Sequence, residues 1–212
     1  MMSYWSNLPE MEGQLVSIVP LSMDHHDDLV ETIPEDELYQ LLNIATATPR
    51  SIGAEIERRL ALHETGAALP FTVIEKQTNM AIGMMSYVNL DTVNRKTEID
   101  TLCSQPSVRD SLYHTECQLL LLQHAFETLQ YICVEFRTHF KDAQSRQAME
   151  RLGARLDGVL RSNAFPSNGS VRDTAVYSIT VFDWPTVKAN LLSHLKDHRP
   201  VSLFRARVTK FG

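Results

Sequence analysis

The chain has 212 residues, 43% of them hydrophobic and 22% charged, enough to bury one sizeable core and typical of a single globular domain. A formal charge of -6 argues against a broad nucleic-acid footprint, which needs clustered Lys and Arg to displace phosphate counterions. No apolar run approaches the roughly 20 residues that cross a bilayer, the three cysteines have no zinc-type spacing, and MMSYWSNLPEMEG lacks a cationic segment leading into an apolar one. A soluble protein of the reducing cytoplasm is therefore expected, with neither membrane nor nucleic acid as partner.

GQLVSIVPL alternates and stops at Pro20, which predicts an opening strand. Helices follow, with Ser22 and Thr48 as expected N-caps and Pro49 in a first turn. TPRSIGAEIERRLALHETG sets Ile52, Ile56, Leu60 and His63 on one stripe and ends at Gly66. Three extended runs, LPFTVIEK, MAIGMMSYVNLD and RKTEIDTLCS, are separated by turn-prone QTN and TVN and predict an antiparallel meander. SVRDSLYHTECQLLLLQHAFE then reads as a polar turn feeding an apolar helix, with Leu119, Leu122, Phe126 and Leu129 inward.

YICVEFRTHF is β-branched and aromatic, as strands are, and DAQSRQAMERLGA reads as a helix from Asp142 to Gly153. ARLDGVLRSNAF and VRDTAVYSITVF flank Asn168-Gly169, a strong hairpin signal. DWPTVKANLLSHLKD is a closing helix with Pro185 in its first turn. The layout is mixed α/β: one domain over 1–198, then a basic tail over 199–212 with Arg199, Arg205, Arg207 and Lys210, read as a flexible terminus.

A strand, a polar turn and a helix start present backbone amides and the positive end of a helix dipole, which bind phosphate without any particular side chain. The same unit is also common as a plain capped core helix, and from this stretch alone that reading is the more frequent one. No H-E-x-x-H spacing or G-x-S-x-G elbow is present, so neither a metal nor a serine nucleophile is expected.

The order of these elements, with the stretches GQLVSIVPLSMDH, ALPFTVIEKQTNMAIGMMSYVNLD, TEI, TECQLLLLQHAFE, VEFRTHFKDAQSRQAMERLGARLDGVLR and RDTAVYSI, resembles the GNAT superfamily of N-acetyltransferases, in its ribosomal-protein N-terminal acetyltransferase branch. The resemblance spans roughly Glu12 to Leu195. It implies a mostly antiparallel central sheet with a splayed central strand, flanked by helices. It also implies acetyl-CoA as cosubstrate, with pantetheine lying beside TEIDTLCS, past Thr101, Leu102 and Cys103, and pyrophosphate on the loop and helix start Arg109, Asp110, Ser111, Leu112, Tyr113 and His114. Leu112 and His114 stand where the family keeps small residues, and EID replaces EIG. Asp142 and Ser145 match the family's Asn and Ser near the thiol end. Asp142 also suits a plain N-cap.

The chemistry implied is attack of a neutral amine on a thioester. An α-amino group has a reference pKa of about 8 and a lysine about 10.4, so a base must take the ammonium proton. Glu98 matches the Glu of the family's EIG; it equally suits a strand-edge carboxylate paired with Arg95 or Lys96. Ser145, Tyr177 and Tyr113 are the candidate proton donors to the thiolate, and Tyr177 also reads as a core aromatic. The acceptor is a primary amine of a protein N-terminus, peptide or small molecule. Oligomeric state is open, a homodimer included. The second reading is a non-catalytic member of the fold, a binding or interaction protein with an altered CoA loop.

Overall fold

The computed structural model describes residues 8–33, 51–103, 111–164 and 171–198. The strands are β1 (Met11–Glu12), β2 (Val16–Pro20), β3 (Ala68–Glu75), β4 (Met80–Asp91), β5 (Lys96–Cys103), β6 (Cys133–His139), β7 (Arg155–Ala164) and β8 (Arg172–Thr180). The helices are α1 (His26–Thr32), α2 (Ile52–Glu64), α3 (Leu112–Gln123), α4 (Ala143–Leu152) and α5 (Trp184–Asp197). A 3-10 turn, Met23–His25, precedes α1, and a π turn, His124–Thr128, continues α3. Among the described residues no helix is long and apolar enough to cross a membrane.

The strands form one sheet in the order β1-β2-β3-β4-β5-β6-β8-β7. Every pairing is antiparallel except that of β5 with β6. The alternation of side chains across a strand feeds two cores. Met84 joins Leu29, Ile52 and Ile56 beneath α1 and α2. Met85 and Tyr87 face the larger core with Leu121 and Leu122 of α3, Leu152 of α4, and Trp184 and Leu191 of α5. Both faces of the central strands are thus covered by helices, which is why β3 and β4 read as nearly continuous apolar runs.

Local chemistry sets most boundaries. Ser22 accepts from the Asp24 amide at 3.2 Å, Asp142 accepts from the Ser145 amide at 3.0 Å, and Gly153 closes α4 at φ 99°, where a side chain would be strained. Pro185 stands in the first turn of α5 as expected. Two expectations are corrected. The opening strand starts later than its stretch, at Val16: Gly13 to Leu15 turn (the Gly13 N–H meets Val16 O at 2.8 Å) after a short extra strand, β1. The N-cap of α2 is Ser51, which accepts from the Ala54 amide at 3.2 Å; Thr48 and Pro49 lie outside the described residues, as do Asn168, Gly169 and the tail from 199.

Candidate active site

The parallel pairing of β5 with β6 covers only Lys96–Cys133, Thr97–Val134 and Glu98–Glu135. Beyond it, β5 pairs with β4 alone as far as Cys103, and β6 pairs with β8 alone as far as His139. The two strands part just after Glu98. The C-terminal ends of both point the same way, so α3 and α4, which follow them, begin at the open end of the cleft.

Glu98 occupies the apex. Its Oε2 accepts from Asn89 Nδ2 at 2.7 Å and lies 3.1 Å from Arg137 Nε. Arg137 also donates to Glu135 at 3.0 Å, and Glu135 takes Lys96 Nζ at 3.1 Å. Only 12% of the Glu98 side chain is exposed. Burial raises its pKa to about 7 against the lowering effects of Asn89 and Arg137, with the neighbouring charges of Asp100 and Glu135 adding to the rise. A carboxyl poised there is about half ionised at neutral pH, so it can accept a proton and release it again. The partner is Arg137 across the parallel pair, and neither Arg95 nor Lys96: Arg95 sits in the hairpin turn at φ 52°, and Lys96 is taken by Glu135.

At the open end, Ser111 caps α3 by accepting from the His114 amide at 3.5 Å. Leu112 packs against the larger core. Tyr113 bonds the Glu75 carboxylate, which with burial raises its hydroxyl pKa to about 12. The His114 ring meets Gln118 one turn further along, at 2.9 Å. The bulky residues at this helix start therefore engage the core, β3 and the helix itself. Arg109 and Asp110 lie outside the described residues. Leu102 and Cys103 are described by backbone alone, on the unpaired length of β5 with Thr101.

At α4, the Ser145 hydroxyl donates to Asp142 Oδ2 at 2.6 Å, so Asp142 holds both the amide and the side chain of Ser145. Tyr177 is fully buried; its hydroxyl accepts from Arg146 Nε at 3.0 Å and donates to Glu150 at 2.9 Å. The Tyr177 hydroxyl is thus held between α4 and β8, and that of Ser145 within the cap of α4. Among the described residues no group of three or more His, Cys, Asp or Glu side chains could hold a metal.

The structure adds Asn89, Arg137 and Glu135 to the site. The sequence carries a signal for two of them: in VEFRTH the apolar Val134 and Phe136 alternate with Glu135 and Arg137, which puts both charges on one face of β6.

Comparison with known proteins agrees with this geometry. The family model described as an acetyltransferase (GNAT) domain matches residues 16–155. YdaF of Bacillus subtilis (strain 168), named as a candidate ribosomal N-acetyltransferase, is 31% identical over 102 residues, 48% of this chain and 55% of that protein. The chain thus spans about half the length of this curated relative. A solved GCN5-related N-acetyltransferase from Brucella melitensis superposes with a TM-score of 0.78 at 29% identity, over 88% of this chain and 85% of that one. Mycobacterium smegmatis RimJ, solved in complex with CoA-disulfide, shares the fold at a TM-score of 0.70 and 18% identity, over 84% and 88%.

Proposed function

We propose, since this chain belongs to the GNAT acetyltransferase family, that it moves an acetyl group from acetyl-CoA to a primary amine, with Glu98 as the base. The observation that carries this reading is the place of Glu98. It is the last residue of β5 that pairs with β6, mostly buried, with its carboxyl held at about 7 beside a strand length that has lost its neighbour.

Three features support the cofactor side. Among the described residues the β5 backbone from Ile99 to Cys103 has no strand paired on the β6 side, and it offers its amides and carbonyls to an extended chain such as pantetheine. The amides at Ser111 to Tyr113, with the positive end of α3, suit a pyrophosphate. Leu112 and His114 turn their side chains to the core and to Gln118, which leaves that role to the main chain. Arg109 and Asp110 belong to the same proposed loop, Arg109 adding a charge-assisted contact. The RimJ of M. smegmatis, which shares the fold, was solved with CoA-disulfide, in support of this reading.

Acetyl-CoA supplies a thioester: the amine nitrogen bonds to its carbonyl carbon, the carbon–sulfur bond breaks, CoA leaves as thiolate, and the surplus proton on the acylated nitrogen passes to that thiolate directly or through water. Glu98 takes the ammonium proton, directly or through water, while Asn89 and Arg137 hold the carboxylate in place through Oε2. Asp142 and Ser145 fix the start of α4 at the thiol end of the cleft. The acceptor class is an amine of a protein N-terminus, peptide or small molecule, and the cytoplasm is the compartment that matches the reduced cysteines Cys117 and Cys133.

Calorimetric titration with acetyl-CoA and with CoA, followed by turnover of an amine panel, tests the reading. Binding tighter than millimolar, and a Glu98→Gln variant that binds CoA as the parent does but turns over roughly 10² to 10⁴ times more slowly, are expected. A parent that binds no CoA at millimolar ligand overturns it in favour of a non-catalytic relative.

A further inference from the structure

Arg59, on α2, is 3% exposed, and its single guanidinium serves three elements. Nε donates to Glu55 on its own helix at 2.7 Å, Nη1 to Ser86 on β4 at 2.5 Å, and Nη2 to Asp100 on β5 at 2.8 Å. Glu55 is fully buried and is also held by Arg58 at 2.7 and 2.8 Å. Two guanidinium and two carboxylate groups cancel, so the cluster is neutral and its buried charges are all paired, as their desolvation requires.

Asp100 belongs to the free length of β5. It is two residues beyond Glu98, so both project from the same face, and it pairs with Ser86 across β4. With β6 gone from one side of β5, Arg59 provides a side-chain tie from outside the sheet. The charged groups around Glu98 are Lys96 and Asp100 on its own strand and Glu135 and Arg137 on β6; Asn89 on β4 is neutral, and Arg58 and Arg59 of α2 stand behind Asp100.

We propose that Arg59 is a positioning residue of the acyl transfer: from α2 it holds Asp100 as a neutral pair beside Glu98, fixing the unpaired course of β5 and the charge that Glu98 faces. This rests on Glu98 acting as the base. Without Arg59, Asp100 stands beside Glu98 as an uncompensated like charge and favours the protonated base. Without the Asp100 charge, the Arg59 cation is unmasked and favours the ionised base.

The test is a carbon-13 carboxyl NMR titration of Glu98, its resonance assigned by its loss in Glu98→Gln. Parent, Asp100→Asn, Arg59→Met and the double variant are compared, with the acid limb of kcat/KM measured beside them. The Glu98 midpoint is expected to fall by about half a pH unit or more in Asp100→Asn, to rise by about as much in Arg59→Met, and to return close to the parent in the double variant. The acid limb should move with it. Arg59→Met leaves Glu55 short of a partner; should that variant not fold, Asp100→Asn decides alone, because its side chain is 42% exposed and its replacement keeps the packing. A midpoint unmoved in folded Asp100→Asn, or moved the same way in both single variants, overturns the proposal, since a merely structural Arg59 changes stability and not the titration of Glu98. The midpoints read without turnover. A parent that acetylates nothing while its midpoints shift as stated therefore defeats the acetyltransferase reading, with the electrostatic coupling standing apart from it.

Discussion

A Cβ on Gly13 would stand 2.5 Å from Glu116 Oε2, because Glu116 reaches from α3 onto the turn between β1 and β2. Its carboxylate accepts from the amides of Gln14, Leu15 and Val16 at 2.9, 2.7 and 2.9 Å. The contact joins residues about a hundred positions apart and locks the start of α3, the proposed phosphate-binding end, to the edge of the sheet. Gly13→Ala is expected to cost about 1–3 kcal/mol, since neither the triply bonded carboxylate nor Val16 O can yield freely. Glu116→Ala strands three amides and should cost about 3 kcal/mol. Denaturant unfolding of both variants and of the double variant checks the link. Strictly additive losses would mean that the two residues act independently.

Glu98 gives two opposed pH trends. Its carboxyl titrates at about 7 in the folded chain against an ordinary value of 4.5, so between those values the folded state binds more protons than the unfolded one. The contribution of Glu98 to stability therefore falls as pH rises through that window. Relative to Glu98→Gln, the parent should lose up to about 3 kcal/mol between pH 4.5 and 7.5. The acid limb of kcat/KM should rise over the same range as the base ionises. Paired urea titrations across pH check the first trend, and a flat stability difference would show an ordinary carboxylate.

Tyr177→Phe separates support from proton transfer. The variant keeps the buried ring and loses only the hydroxyl held between Arg146 and Glu150. A stability loss of about 1 kcal/mol is expected, with kcat at a given pH unchanged within about twofold. A fall in kcat of roughly 10² or more would mark Tyr177 as a proton donor.

What could be read from the sequence follows the range of each interaction. β4 covers MAIGMMSYVNLD, and α4 begins after Asp142 and ends at Gly153, because turns and caps are set by residues a few positions apart. Glu98 was legible as a candidate base, but its Arg137 partner was not, since a parallel pairing across a helical connection leaves no local mark. The late start of the opening strand goes with the Glu116 carboxylate, which binds the amides of Gln14, Leu15 and Val16 from α3. Where α3 passes into the π turn at His124–Thr128, the Tyr87 hydroxyl donates to Leu121 O at 2.6 Å beside His124, a tertiary contact that helix periodicity does not announce.

The missing glycines at the α3 start yield the final test. Leu112 is seated against the larger core and the His114 ring meets Gln118, contacts that favour a phosphate cradle built from the main chain alone. Leu112→Gly combined with His114→Ala should therefore leave CoA affinity within about threefold, a change below 1 kcal/mol. Stability should fall by about 2 kcal/mol from lost apolar burial and the glycine at a helix position. Calorimetry of parent and variant with CoA, beside urea unfolding, separates the two effects. A parent that binds nothing beside a variant that binds at micromolar level, a gain of about 4 kcal/mol over a millimolar limit, would show that the side chains close the cradle and that the chain is a non-catalytic relative of the acetyltransferases.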